Sequence, residues 1–217
     1  MKLFIDSGNL KDYEALVPLG IIDGATTNPS LMAKAGGDAR GIVKKICELV
    51  QGPVSAEVVS TDAAGMIAEG RELAKIDDHV VVKVPFGREG LKALKALTEE
   101  GIRVNVTLIF SPAQALFAAK VGAAFVSPFV GRLDDISSDG MRLVQEISTI
   151  FKHYAFTTEI LVASVRSPMH IVQAAAMGAD ICTCPASVID ACFHHPLTDI
   201  GLEKFLKDWE KAQSVRV

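Results

Sequence analysis

The stretch HVVVKVP, residues 79–85, is an apolar β run with one lysine near its carboxyl end. Its valine content is typical of a strand buried on both faces, and side-chain alternation places Val81 and Lys83 on the same face. A buried ammonium without a partner is costly, and losing its proton is the simplest relief. Neutral buried amines form Schiff bases with carbonyl substrates, so Lys83 is the first catalytic candidate. The alternative is a lysine whose stem lies in the sheet and whose amine reaches solvent.

The composition predicts one globular domain that spans residues 1–217. Apolar residues make up 49% of the chain, the mean hydropathy is +0.31 and the formal net charge is −4. Acidic and basic residues are mixed without a basic stripe, so we expect neither nucleic acid nor an anionic membrane as a partner. Residues 1–6 lack a signal-peptide pattern, and Lys120 and Pro128 interrupt the apolar stretch Ala113–Gly131. We therefore expect a soluble, cytoplasmic protein.

Four cysteines without a CxxC pair indicate reduced thiols in a reducing compartment. Cys182 and Cys184 share one face of a predicted strand, and Cys192, His194 and His195 follow them. A metal site built from these residues is the less favoured interpretation, because CxC is not a standard zinc spacing and cysteine is a common small core residue. We therefore predict no metal site.

Short β runs alternate with amphipathic helical segments along the chain. The predicted strands are Lys2–Asp6, Gly24–Asn28, Val54–Val59, Val80–Val84, Arg103–Thr107, Ala124–Ser127, Glu159–Ser164 and Asp180–Thr183. The predicted helices between them include Ala39–Val50, Ala63–Lys75, Glu89–Glu99, Pro112–Val121, Gly140–His153 and Pro168–Met177. Asn28, Ser111 and Ser167 each precede a proline, which predicts helix starts with a side-chain cap. Eight βα units in one domain predict a single-domain (β/α)8 TIM barrel.

The main alternative to a barrel is a doubly wound open sheet. Such a sheet normally has a glycine-rich phosphate loop after its first strand. Residues 6–10, DSGNL, do not have that pattern. The closed barrel is therefore favoured.

Polar residues recur at the carboxyl ends of the predicted strands. They are Asp6, Asn28, Glu57, Lys83, Thr107, Ser127 and Ser164. Alternation adds inward-facing partners two residues away, namely Thr26, Asn105 and Arg166. A lone polar residue at a strand end is usually just where the strand meets water. Seven in succession indicate a site at the carboxyl rim, where the active sites of TIM barrels lie.

These residues lie in motifs that resemble the transaldolase family, and more narrowly its short-chain branch, which includes the fructose-6-phosphate aldolases. Besides Asp6, the motifs are residues 24–30, GATTNPS; 55–58, SAEV; 82–85, VKVP; 105–114, NVTLIFSPAQ; and 126–134, VSPFVGRLD. The resemblance covers nearly the whole chain. It implies a (β/α)8 barrel, a Schiff-base lysine on the fourth strand, here Lys83, and no metal or organic cofactor.

The resemblance also implies roles for the other rim residues. Asp6 would remove the proton from the sugar hydroxyl whose carbon becomes the aldehyde, and Glu57 and Thr107 would hold a water molecule that shuttles protons. The expected substrate contacts are Thr26, Asn28, Asn105, Ser127 and Phe129. The expected substrates are phosphorylated sugars of the pentose phosphate pathway.

A phosphate group on each sugar requires local cations in a chain of negative net charge. Arg132 follows the sixth strand, and Ser164 and Arg166 end the seventh. Two guanidinium groups and one hydroxyl can then converge on a dianion. The alternative for Arg132 is a surface ion pair with Asp134 or Asp135.

The last predicted helix, Thr198–Gln213, has an apolar stripe opposite its charged face. The stripe consists of Leu202, Phe205, Leu206 and Trp209. We expect this C-terminal helix to pack on its own barrel or on another subunit. Short-chain relatives form pentamers and decamers, so the resemblance implies a homo-oligomer, but the sequence does not specify the number of subunits.

Three functions remain open from the sequence: a transaldolase, a fructose-6-phosphate aldolase that releases free dihydroxyacetone, and a non-catalytic barrel that binds sugar phosphates. Aldolase members typically have glutamine and tyrosine at the positions of Glu57 and Phe129. A tyrosine hydroxyl there would orient the catalytic water for attack on the imine. Glu57 and Phe129 therefore favour the transaldolase, without defining the preferred donor or acceptor sugar.

Overall fold

Eight parallel strands close into a barrel in sequence order in the computed structural model, which describes residues 1–214. The strands are β1 (Lys2–Asp6), β2 (Gly24–Thr26), β3 (Val54–Glu57), β4 (Val80–Pro85), β5 (Val104–Ile109), β6 (Phe125–Pro128), β7 (Glu159–Val162) and β8 (Ile181–Cys184). The helices are α1 (Leu10–Leu16), α2 (Pro29–Ala35), α3 (Ala39–Val50), α4 (Ala63–Ala74), α5 (Arg88–Glu99), α6 (Pro112–Val121), α7 (Val130–Asp134), α8 (Gly140–Tyr154), α9 (Pro168–Ala176), α10 (Ala186–Ala191) and α11 (Pro196–Ser214). The predicted (β/α)8 fold with an extra C-terminal helix is confirmed, and the open sheet is wrong because β8 pairs with β1.

Strand alternation separates two apolar layers. The cluster inside the barrel consists of Phe4, Val81, Phe125, Leu161, Ala163 and Ile181. In β4, Val80, Val82 and Val84 instead belong to the larger cluster between the strands and the helices. The predicted division of β4 into two faces is therefore correct, and Lys83 lies on the inner face with Val81.

Strands β2, β3 and β7 are shorter than predicted, and the changes in β2 and β7 affect rim residues. Strand β2 ends at Thr26, so Asn28 caps α2, and its side chain accepts a hydrogen bond from the Leu31 N–H at 3.0 Å. Strand β7 ends at Val162, and Ser164 has a φ of 60°. A positive φ is rare outside glycine, and at Ser164 it turns the chain away from the hydrogen-bonded strands of the sheet.

The capping predictions have mixed outcomes. Ser111 forms a capping box with Gln114 at the start of α6, as expected. The predicted side-chain cap by Ser167 is wrong, although its backbone has the extended conformation of a capping residue. The N–H of His170, a usual partner of such a hydroxyl, instead bonds to the Ser167 carbonyl oxygen at 3.1 Å.

Helix α11 is two residues longer at its start than predicted and one residue longer at its end. None of its residues is buried. The structure therefore shows no burial of α11 on the barrel of its own chain, and its packing on another subunit remains a prediction. Among residues 1–214, no helix is long and apolar enough to cross a membrane.

Candidate active site

The carboxyl ends of the strands surround a cavity of about 480 Å³. All twelve residues that the sequence assigned to the site line this cavity. They are Asp6, Thr26, Asn28, Glu57, Lys83, Asn105, Thr107, Ser127, Phe129, Arg132, Ser164 and Arg166. The structure therefore brings the full set together, whereas the role of each residue remains a prediction.

Lys83 is only 5% exposed, at the base of this cavity. Its Nζ lies 2.9 Å from Oε2 of Glu57 and donates a hydrogen bond to the carbonyl oxygen of Thr27. The pair follows from strand register, because Glu57 of β3 lies directly beside Lys83 of β4. The alternative that the amine reaches bulk solvent is therefore wrong.

Asp6 ends β1, and two threonine hydroxyls extend away from it. Oγ1 of Thr26 donates to Oδ1 of Asp6 at 2.7 Å, and Oγ1 of Thr183 lies 2.7 Å from Oγ1 of Thr26. Burial raises the pKa of the Asp6 carboxyl above its ordinary value, while the Thr26 hydroxyl and the charge of Lys83 act in the opposite direction. Asp6 is thus a carboxyl group with increased proton affinity beside the buried amine.

A second polar chain crosses the inner face of β3, β5 and β6. Asn105 is fully buried, its Nδ2 donates to Oγ of Ser55 at 3.1 Å, and its Oδ1 accepts from Oγ of Ser127 at 2.8 Å. The two ends of the Asn105 amide are thus each hydrogen-bonded to a serine hydroxyl, one on β3 and one on β6. These bonds hold the Asn105 side chain in place on the inner face of the barrel.

Ser55 and Thr183 are two buried polar residues that the sequence reasoning missed. Ser55 precedes Glu57 by two residues, and Thr183 was placed at the carboxyl end of the last predicted strand. The alternation argument that selected Thr26 and Asn105 would have selected Ser55, and the recurrence of polar residues at strand ends would have selected Thr183.

Arg132 lies over the ring of Phe129, with its guanidinium carbon 5.0 Å from the ring centroid. Phe129 also contacts Phe110 edge-on, at 5.8 Å between centroids. Within residues 1–214, Arg132 forms no ion pair, so the alternative pairing with Asp134 or Asp135 is wrong. The cation–π contact holds the guanidinium at the rim of the cavity while its N–H donors stay available.

Arg166 is the arginine that pairs with Asp135, at 2.7 Å from Nη2 to Oδ2, and both side chains are about half exposed. Its backbone N–H donates to Nδ1 of His170 at 3.2 Å. Gly131 allows the close approach of this segment, because a Cβ there would lie 2.2 Å from the backbone carbonyl oxygen of Ser164 and 2.7 Å from Cγ of Arg166. Glycine at 131 therefore allows the two arginine-bearing segments to share one side of the cavity.

The cysteines on β8 face away from the cavity. Cys182 and Cys184 belong to the outer apolar cluster, with their Sγ atoms 3.6 Å apart, whereas His194 and His195 are exposed. In the part of the chain that the structure describes, no group of three or more His, Cys, Asp or Glu side chains is placed to hold a metal ion. Cys182 and Cys184 thus occupy core positions.

Comparison with known proteins adds to this geometry. A model of the family described as "Transaldolase/Fructose-6-phosphate aldolase" matches residues 3–215. A protein of Syntrophobacter fumaroxidans named "Probable transaldolase" is 62% identical over 221 residues, covering 100% of each chain. A protein of Aquifex aeolicus with the same name is 61% identical over 212 residues, covering 98% of each chain.

A solved structure also resembles the fold. It is a cube-shaped, highly porous protein cage designed by fusing symmetric oligomeric domains, and its TM-score is 0.64 at 11% identity over 99% of this chain and 79% of that chain. At so low an identity the similarity concerns the fold alone. The family match and the two relatives cover almost all of the chain. The chain therefore belongs to the transaldolase/fructose-6-phosphate aldolase family.

Proposed function

We propose that the protein is a transaldolase. It would transfer a dihydroxyacetone unit from sedoheptulose 7-phosphate or fructose 6-phosphate to glyceraldehyde 3-phosphate or erythrose 4-phosphate, within the pentose phosphate pathway. The observation that carries this proposal is the buried amine of Lys83, 2.9 Å from the Glu57 carboxylate and inside a polar cavity. The names of the two relatives support it.

The reaction begins at Lys83. The neutral amine attacks the ketose carbonyl, and loss of water leaves a protonated imine on Nζ. Glu57 is close enough to accept the proton that the ammonium must lose before attack. Glu57 and Thr107 would then hold the water that exchanges protons as the imine forms and is hydrolysed.

Asp6 acts in the cleavage step. Its carboxylate removes the proton of the hydroxyl group on the carbon that becomes the aldehyde. The next-but-one carbon–carbon bond, counted from the imine carbon, then breaks, and its electron pair moves into the imine to give an enamine on Lys83. The raised pKa of the buried carboxyl suits a group that first accepts a proton and later returns it. The enamine then attacks the acceptor aldehyde, and hydrolysis of the new imine frees the amine.

The sugar hydroxyls meet donors and acceptors whose directions are already set. Oδ1 of Asn28 accepts from the Leu31 N–H, so the Asn28 amide presents its N–H donors to the cavity. The Ser127 hydroxyl donates to Asn105, so its oxygen remains as an acceptor for the sugar. Thr26 and Phe129 complete the expected sugar contacts.

The phosphate would be held by Arg132, Ser164 and Arg166. The Arg132 donors are available above Phe129, whereas Arg166 must exchange its ion pair with Asp135 for the substrate. That exchange is inexpensive, because an exposed ion pair is worth roughly 0–1 kcal/mol. A dianion gains stronger, charge-assisted hydrogen bonds from both guanidinium groups.

Replacing Arg132 tests the proposed phosphate site. We expect Arg132→Ala to raise KM for fructose 6-phosphate by roughly 13- to 160-fold, the loss expected for a charge-assisted hydrogen bond of about 1.5–3 kcal/mol. Arg142→Ala is the matched control, because Arg142 lies on the exposed face of α8 and pairs with Glu146. Steady-state kinetics that give the same KM for Arg132→Ala and the control would refute the assignment.

The second candidate, a fructose-6-phosphate aldolase, is retained because the family description includes both activities. The two differ in whether water or an aldehyde reaches the intermediate first. Phe129 has no hydroxyl to orient a water, and its ring contacts Arg132 and Phe110 instead. Glu57 and Thr107 would then be left as the proposed holders of the water, which favours transfer.

Product analysis separates these two reactions. With fructose 6-phosphate and erythrose 4-phosphate we expect transfer by the wild type to be faster than the release of free dihydroxyacetone measured without acceptor. Phe129→Tyr should raise the release rate relative to transfer by roughly 2- to 13-fold, the effect of one added hydrogen bond of about 0.5–1.5 kcal/mol. Equal rates with and without the acceptor would favour the aldolase.

We also propose that the protein is a cytoplasmic homo-oligomer, a pentamer or a decamer. The support for assembly is α11, where Phe205 is 71% exposed and Trp209 63% exposed on the same apolar stripe. Apolar patches of this kind on a helix typically mark contact sites.

The support for the cytoplasm as the compartment is that all four cysteines are free. Cell fractionation that placed the protein elsewhere would contradict it.

Replacing the apolar stripe tests the assembly. We expect light scattering to show an oligomer for the wild type and a smaller species for the double variant Phe205→Ser, Trp209→Ser, because the variant loses buried aromatic area at the contact. The control is Lys204→Ser on the same helix, which should keep the wild-type mass. A fully active wild-type monomer would refute the oligomer.

A further inference from the structure

Thr183 has no part in the mechanism described so far, although it lines the cavity and is only 3% exposed. It lies on the inner face of β8, which pairs with β1, and Thr26 lies on β2 at the other edge of β1. The two hydroxyls meet at 2.7 Å, and Thr26 in turn reaches Asp6 at 2.7 Å. Three neighbouring strands thus contribute to one buried chain, Thr183–Thr26–Asp6.

The direction of this chain follows from its carboxylate end. An ionised carboxylate only accepts hydrogen bonds, so the one hydroxyl proton of Thr26 points to Asp6. Oγ1 of Thr26 can then only accept from Thr183, which must be the donor of that bond. Each bond polarises the next, so donation by Thr183 strengthens the donation from Thr26 to Asp6.

We propose that Thr183 is a positioning residue for the catalytic base: it aligns the Thr26 hydroxyl toward Asp6 and thereby stabilises the ionised form of Asp6. The inference rests on the proposed function in assigning Asp6 as the base. The benefit is unequal between the two protonation states, because hydrogen bonds to an ionised group are roughly twice as strong as neutral ones. Loss of the Thr183 hydroxyl should therefore make Asp6 harder to ionise.

Other groups around Asp6 affect its charge but do not replace this chain. Lys83 on β4 favours the ionised form, and it is itself paired with Glu57 on β3. Behind β1, burial raises the pKa of Tyr13 on α1, and contact with Cys182 together with burial raises the pKa of Cys184 on β8. Tyr13 and Cys184 therefore stay neutral near pH 7, and we expect a Thr183 variant to keep the Lys83–Glu57 pair.

The test compares Thr183→Val, which keeps the shape and removes the hydroxyl, with Thr183→Ser, which keeps the hydroxyl. Activity requires ionised Asp6, so the acid limb of the kcat/KM profile follows the pKa of this carboxyl. We expect the Val variant to shift that limb to higher pH by about 0.5 unit. Its KM for fructose 6-phosphate on the high-pH plateau should match the wild type, and the Ser variant should restore the wild-type profile.

A carbon-13 NMR titration of the Asp6 carboxyl in the same proteins gives a readout that does not depend on turnover. It should show the same upward shift for Thr183→Val, and Thr183→Ala provides a second hydroxyl-free variant should the Val variant not fold. Identical Asp6 titrations in wild-type and hydroxyl-free proteins, or a Ser variant shifted as far as Val, would overturn the inference. A wild type without transferase activity would instead refute the proposed function, and the titration would still report on Thr183.

Discussion

The structure depends on accommodating a lysine amine inside a closed barrel. Desolvation of an ammonium and of a carboxylate costs several kcal/mol each, which only a close partner and further hydrogen bonds can offset. Lys83 and Glu57 are adjacent by strand register, and the Thr27 carbonyl accepts a further hydrogen bond from the amine. The buried apolar layer that includes Val81 packs inside the barrel beneath them.

The same constraint organises the rest of the cavity into two parts. On one side, one buried chain of hydrogen bonds runs from Thr183 through Thr26 to Asp6, and a second runs from Ser55 through Asn105 to Ser127. On the other, Arg132 and Arg166 lie nearer solvent, where a dianion can replace water and the Asp135 carboxylate. Rigid groups thus surround the proposed reacting carbons, and adjustable ones surround the proposed phosphate position.

Much of this arrangement follows from the sequence, because alternation in β4 and the recurrence of polar strand ends depend on local geometry alone. The position of the Lys83 amine could be predicted in that way, whereas its pairing with Glu57 depends on the register of two strands. Which arginine contacts Asp135 depends on how the start of α7 is hydrogen-bonded to residues 163 and 164 after β7, and the structure pairs Asp135 with Arg166 and not with Arg132. Thr183 could be selected as a polar residue at the end of the last predicted strand, but its bond to Thr26 requires barrel closure between β8 and β1.

The most direct test of a Schiff base at Lys83 is reductive trapping. Incubation with fructose 6-phosphate and borohydride should add the mass of a reduced three-carbon unit or of the whole sugar to the peptide that contains Lys83, with loss of activity, because reduction makes the imine bond permanent. Lys83→Met should remain unlabelled under the same conditions. An unmodified Lys83, or labelling on another lysine, would contradict the account and would favour a barrel that binds sugar phosphates without catalysis.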